Sequence, residues 1–113
     1  MKICIENDDK ISVRDNCIEI CTKSDKYCFD SSEIAQIDMI TTDKGPFYDD
    51  MCLAVKISRK DNADNAVIFI MSGHPLFKKF LFDELKQLVD LNYEAIIEAS
   101  ACVENRIFPV YKR

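Results

Sequence analysis

The sequence predicts an α+β fold: an antiparallel two-sheet or partly open barrel closed by a C-terminal amphipathic helix, with a short second helix and a tail. Three observations carry this. Up to about residue 72, apolar and polar residues alternate with the two-residue period of half-buried strands. After Ser72-Gly73-His74 the period changes to the three- and four-residue steps of a helix. The stretches between are rich in Asn, Asp and Ser, whose short polar side chains satisfy turn backbones. With 113 residues, 48% hydrophobic and 31% charged, the chain suits one domain over 1–113 with a single core.

Each element has its own signal. Ile3 and Ile5, Ile11 and Val13, and Ile18 and Ile20 predict three short antiparallel strands, joined by tight turns at Asn7-Asp8-Asp9 and Asp15-Asn16. A fourth strand is predicted at 26–29 after Ser24-Asp25, and a fifth at 34–41, where Ala35, Ile37 and Met39 share a face. Residues 42–50 form the longest loop, with Gly45 beside Pro46. Met51, Leu53, Val55 and Ile57 give the clearest half-buried strand, and Asp61-Asn62-Ala63-Asp64-Asn65 the next turn. Ala66 to Met71 is apolar on both alternating faces, which predicts a central strand covered on both sides.

Pro75 suits the first helical turn, and Phe77, Phe80, Leu81, Glu84, Leu85 and Leu88 form the inward stripe of a long helix over 75–90. Asn92 is placed to cap a second helix to about Ala101, with Ile96 and Ile97 turned inward. The tail at 106–111 reads as a strand that Pro109 confines to an edge or an extended arm.

Seven short strands followed by an amphipathic helix resemble the order of elements in the pleckstrin-homology-like superfold, which implies two near-orthogonal sheets and a helix closing one end. The segment Leu91-Asn92-Tyr93-Glu94-Ala95-Ile96-Ile97-Glu98-Ala99, with Glu104-Asn105-Arg106-Ile107-Phe108, is similar to the C-terminal part of small uncharacterised bacterial proteins. That likeness implies a bacterial origin and transfers no site.

Charge and composition narrow the function. Fifteen basic against twenty acidic residues leave a net charge of -5, which opposes binding to nucleic-acid phosphates and anionic lipid headgroups. The longest apolar stretch, 66–71, is far short of the ~20 residues of a spanning helix, and the first residues do not read as a signal peptide. A cytoplasmic protein is expected. Its six cysteines, at 4, 17, 21, 28, 52 and 102, then read as reduced thiols, four of them in apolar runs where they would be buried as small hydrophobes.

No residue pattern fixes a reaction. His74 is the only histidine, so histidine-assisted nucleophilic catalysis would need it beside Cys28, Cys52, Cys102 or a serine, yet its place before Pro75 is that of an ordinary cap. Cys17 and Cys21 on one strand face would lie roughly 13 Å apart, too far to share a zinc ion. Asp8-Asp9, Asp49-Asp50, and Asp61 with Asp64 occupy turns, where aspartate serves the backbone. Two glycines in total exclude a phosphate loop. Lys56, Arg59, Lys60, Lys78 and Lys79 read as solvated ends.

Phe47, Tyr48, Asp49 and Asp50 stand out, because two aromatics followed by two acids in a long loop make an anchor and a steering rim for a protein partner. The leading expectation is therefore a non-enzymatic, acidic protein-binding domain without metal or cofactor, in its specific form an immunity or antitoxin-like inhibitor of a basic toxin or nuclease. The alternative is a small apolar ligand held at the barrel end or in the sheet-helix crevice. A homodimer through the edge near Pro109 is a further expectation.

Overall fold

The computed structural model of the chain describes residues 2–41, 51–58, 65–101 and 105–112. Among the described residues eight strands form: β1 (Lys2–Cys4), β2 (Lys10–Arg14), β3 (Cys17–Cys21), β4 (Lys26–Asp30), β5 (Ile34–Thr41), β6 (Met51–Ile57), β7 (Ala66–Met71) and β8 (Arg106–Lys112). They build two sheets, one of five strands in the order β1-β7-β6-β5-β8 and one of three in the order β2-β3-β4. A helical segment follows β7, and helix α1 (Tyr93–Ala101) precedes β8. The architecture is α+β with two sheets, and the described strands do not close into a barrel. No helix among the described residues is long and apolar enough to cross a membrane.

The inner faces follow from strand parity. Ile18, Ile20 and Phe29 of the small sheet are fully buried, as are Ile37, Leu53, Val55, Ile68 and Ile70 of the large one, and all join one core cluster. Burying each such side chain contributes about 1.5–3 kcal/mol. The predicted strand at 51–57 is the middle strand, its Leu53, Val55 and Ile57 opposite Ile70, Ile68 and Ala66. β7 is interior but second from the edge, so the central position expected for it belongs to β6.

The first predicted hairpin does not form. β1 pairs with β7 in parallel, Ile3 opposite Ile68, and Ile5 N–H donates to Phe69 C=O at 2.8 Å. The Glu6–Asp9 turn then carries the chain into the other sheet, so turn residues that signalled a hairpin mark a crossing between layers. The second turn is a true hairpin: Asp15 and Asn16 both have positive φ, at 51° and 64°, between the paired Arg14 and Cys17. That is the pattern of a type I′ turn, which matches strand twist and favours Asn, Asp and Gly.

The region predicted as one long helix is shorter and irregular, with a π-helical turn at Lys79–Glu84 followed by a 3-10 turn at Leu85–Gln87. Leu85 N–H donates to Phe80 C=O, five residues back. Across the wider turn Phe80, Leu81 and Leu85 remain buried on the core side. Phe77 is also buried, whereas Glu84 and Leu88 are half-buried.

Asn92 caps α1 as expected, its side-chain Oδ1 accepting from Ala95 N–H at 3.3 Å, while its own N–H donates to Val110 C=O at 2.7 Å. Ala95, Ile96 and Ala99 face the core, but Ile97 is 66% exposed, since at about 100° per residue it lies about 200° round the helix from Ala95. β8 lies at the sheet edge, as Pro109 requires, with a bulge opposite Ile37 and Asp38.

Asp30 heads a single 3-10 turn, Ser31–Glu33, in a capping box: its carboxylate accepts from Ser32 N–H at 2.9 Å, and its N–H donates to Glu33 Oε1 at 3.0 Å. The Ser32 backbone N–H first, then the Ser32 hydroxyl, hold its carboxyl below the ordinary 3.8.

Two outcomes are expected. Asn16→Ala forces a Cβ-bearing residue without a compensating polar group into the left-handed region and lowers unfolding free energy by about 1 kcal/mol, whereas Asn16→Gly retains or raises it, as urea titration will show. Because the folded value of Asp30 lies below its unfolded one, its contribution is fully present above pH 3.8 and lost as pH falls through the folded value. Asp30→Asn flattens the stability profile in that acid range.

Candidate interaction surface

The side of the five-stranded sheet that faces away from the core carries three transverse rows, set by the register. The first runs Met71, Cys52, Ile40, Ile107 across β7, β6, β5 and β8. At a strand spacing of ~4.8 Å it spans about 14 Å. The second is Phe69, Ala54, Asp38, Pro109, with Cys4 beside Phe69, and the third is Val67, Lys56, Gln36, Lys112, with Lys2 beside Val67. The face thus runs from wholly apolar at one end to predominantly polar and basic at the other.

Exposure makes the first row unusual. Met71 is 38% and Ile107 63% exposed, while Ile40 and Cys52 are half-buried. Across the middle row, Lys2 Nζ stands 5.3 Å from the centre of the Phe69 ring. Asp38 is only 3% exposed although it points away from the core. Gln36 Nε2 donates to both of its oxygens, at 2.7 and 3.0 Å, and Lys56 Nζ lies 3.3 Å from Oδ2. This carboxylate is fully engaged within its own face and leaves the lysines dominant there.

The residues 42–50 join Thr41, at the end of β5, to Met51, at the start of β6, and these two are themselves paired. Phe47, Tyr48, Asp49 and Asp50 all lie outside the described residues, as do Arg59, Lys60, Asp61, Asp64 and Cys102. The chain ends that carry the 42–50 segment are next to Ile40 and Cys52 of the apolar row. The row itself was missed in the sequence. Its signal is the second apolar face of Ala66–Met71, which predicts a covered surface.

The cysteines correct another expectation. None of the five described is buried: Cys4, Cys21 and Cys28 are exposed, Cys17 and Cys52 half-buried, and all five are free thiols. They alternate with the core isoleucines and Phe29 along the strands, so parity turns them outward. Burial, joined by the nearby Cys4, pushes the Cys52 thiol up to about 11, which suppresses its nucleophilic form.

His74 is buried and fully occupied. Its Nδ1 accepts from Leu76 N–H at 3.0 Å, and its Nε2 lies 2.9 Å from Glu6 C=O. One nitrogen faces a donor and the other an acceptor, which assigns the neutral tautomer with the proton on Nε2. The ring caps the helical segment that begins at Pro75 and ties it to the crossing turn between the sheets. Glu6 C=O also accepts from Asp9 N–H, and the Asp9 carboxylate accepts from Glu6 N–H, both at 2.9 Å. Asp8 lies 3.7 Å from Lys23 at the surface. Asp8-Asp9 therefore serve the turn. Among the described residues, no three His, Cys, Asp or Glu side chains gather in a way that could hold a metal ion.

Comparison with protein-family models, curated proteins and solved structures finds no match for this chain.

His74→Ala leaves the half-buried Leu76 N–H without its acceptor and lowers stability by about 1–3 kcal/mol in chemical denaturation. His74→Asn supplies an acceptor near Nδ1 and recovers more than His74→Gln, because Glu6 C=O retains the Asp9 N–H in either variant.

Proposed function

We propose that the chain is a non-enzymatic protein-binding domain whose contact surface is the Met71-Cys52-Ile40-Ile107 row, extended by Phe47, Tyr48, Asp49 and Asp50 from the adjoining 42–50 segment. The observation that supports this reading is an apolar row across four strands, exposed at Met71 and Ile107 and half-buried at Cys52 and Ile40, on a sheet whose opposite face packs into the core. Exposed apolar surface of this kind is costly in water and is the usual core of a protein contact, with charged residues at its rim.

The more specific form is an immunity or antitoxin-like inhibitor of a basic toxin or nuclease. The net charge of -5 and the pair Asp49-Asp50 favour a basic partner. Lys2, Lys56 and Lys112 occupy the far end of the same face, so acidic steering toward such a partner would come from the 42–50 side. The engagement of both His74 ring nitrogens by backbone groups supports a non-catalytic reading of that residue. The alternative of a small apolar ligand between sheet and helices is less favoured, because Phe80, Leu81, Leu85 and Ala99 fill that space.

The pleckstrin-homology-like likeness belongs to this proposal as well. The antiparallel runs β2-β3-β4 and β5-β6-β7, followed by a helical segment, support it, while β1 parallel to β7 and β8 beside β5 depart from a simple meander.

Affinity capture from native lysate tests the surface. A stoichiometric partner held by the wild-type protein is expected to be lost with Met71→Lys combined with Ile107→Lys, and with Phe47→Ala combined with Tyr48→Ala. Neutralising Asp49 and Asp50 to Asn is expected to weaken capture most at low salt. Retention of the same partner by all three variants refutes the proposed surface.

A further inference from the structure

The outer face of the three-stranded sheet carries a second arrangement, independent of the proposed contact surface. Ile18 and Ile20 turn inward, so Cys17, Glu19 and Cys21 of β3 face outward with Lys26, Cys28 and Asp30 of β4. Cys17 stands opposite Asp30, and Glu19 opposite Cys28. The flanking hydrogen bonds, Ser31 N–H to Asn16 C=O and Thr22 N–H to Asp25 C=O, both 2.9 Å, fix the phase of the ladder. Positions 17/30 and 19/28 are therefore the non-hydrogen-bonded pairs, where antiparallel strands approach most closely.

Cys17 and Cys28 are diagonal neighbours across these two pairs. Right-handed twist shortens one of the two diagonals, here the one that joins Cys17 to Cys28, and Cys28 is the strongest influence on the Cys17 thiol. Cys21 and Cys28 lie on the opposite, longer diagonal. Cys28 is exposed and Cys17 half-buried, so a small reagent reaches Cys28 first.

We propose that Cys17 and Cys28 form a dithiol site that reacts with a low-molecular-weight disulfide of the glutathione disulfide class and closes into a reversible bond between β3 and β4. The Cys28 thiolate attacks one sulfur of the reagent, whose S–S bond breaks and releases one glutathione, which takes up a proton. Cys28 then carries the other glutathione. Cys17 loses its proton to solvent and attacks Cys28 Sγ, expelling the second glutathione. In sum, two protein thiols are oxidised by two electrons, and one glutathione disulfide is reduced to two glutathiones.

The order of attack follows from the surroundings. The hydrogen bond to Cys28, then partial burial, then the charge of Cys28 itself and of Asp30 and Asp15, push the Cys17 thiol up to about 11. Derivatising Cys28 removes the first of these causes and the charge with it, so Cys17 becomes a better nucleophile once Cys28, the more exposed of the two, has reacted. The groups facing the pair are Arg14 on β2, opposite Cys17, Asp30 and Lys26 on β4, Glu19 on β3, and Asp15 in the turn. Closure therefore speeds up as pH rises from 7 toward 9. A diagonal pair in a regular ladder stands about 7–8 Å apart, wider than an unstrained disulfide spans, so closure draws β3 and β4 together locally and excess glutathione reopens the bond.

The test uses the intact folded protein with glutathione disulfide, acid quench, alkylation and peptide mass mapping. In wild type the Cys17 and Cys28 peptides are expected to be joined, two hydrogen atoms lighter than the two thiols, with no glutathione retained on either cysteine. Cys21→Ser closes in the same way. Cys17→Ser, at an outward position where serine fits, retains glutathione on Cys28, and Cys28→Ser does neither. A link that maps to Cys21, a wild-type protein that stops at the Cys28 adduct, or a Cys28→Ser variant that oxidises at the wild-type rate would each overturn the proposal.

Discussion

The constraint on which this molecule depends is the two-residue parity of its strands. Ile18 and Ile20 on β3, Leu53, Val55 and Ile57 on β6, and Ile68 and Ile70 on β7 all turn to one interior and are buried. A slip of one residue would exchange these side chains for Cys17, Glu19 and Cys21 on β3 and for Cys52, Ala54 and Lys56 on β6, so register and core are one specification. Parity also decides the outer faces. Whatever alternates with the core must face away from it, which is how the described cysteines come to be solvent-accessible thiols and how Asp38 comes to need Gln36 and Lys56 on its own side.

Parity alone does not say how the two sheets are joined, and here a few polar contacts matter more than their number suggests. The chain leaves the large sheet after β1 and enters the small one at β2 through the Glu6–Asp9 turn. His74 holds that turn through Glu6 C=O while its other nitrogen caps the segment that begins at Pro75. One buried ring therefore connects the passage between sheets to the start of the helical layer. Its neutral tautomer follows from having a donor on one side and an acceptor on the other. The single histidine, a natural suspect for catalysis in the sequence, is accounted for by backbone groups.

Most strands were legible because each is short and strictly alternating. β5, β6 and β7 occupy the predicted spans, and Asn92 caps the helix predicted after it. Pairing partners were less legible. Asn7-Asp8-Asp9 looks the same whether the next strand folds back or crosses to another sheet, and the parallel partner of β1 lies more than sixty residues away in sequence. The irregular turn at Lys79–Glu84 was hidden for a different reason: Phe77, Phe80, Leu81 and Leu85 fit a regular helix on paper, and the widened turn is set by packing against the core. The aromatic-acidic segment Phe47-Tyr48-Asp49-Asp50 was legible as a composition, while the apolar row beside its chain ends emerges only once four strands are in register.

The double-sided apolar pattern of Ala66–Met71 shows why a surface of this kind is hard to read from sequence. Such a pattern indicates that both faces of a strand avoid water, and the simplest inference is a layer on each side. In this fold one face meets the core, whereas the other leaves Val67 and Phe69 half-buried and Met71 exposed. Within the chain, the lysine stem at Lys2 covers part of Phe69, but Met71 and Ile107 remain open at the other end of the face. Removing apolar surface from water is worth about 25 cal/mol for each Å², so a row of this size has a persistent tendency to be covered. A strand pattern that asks for two covers, in a fold whose described elements supply one, is the physical ground for reading the outer face as a place of contact.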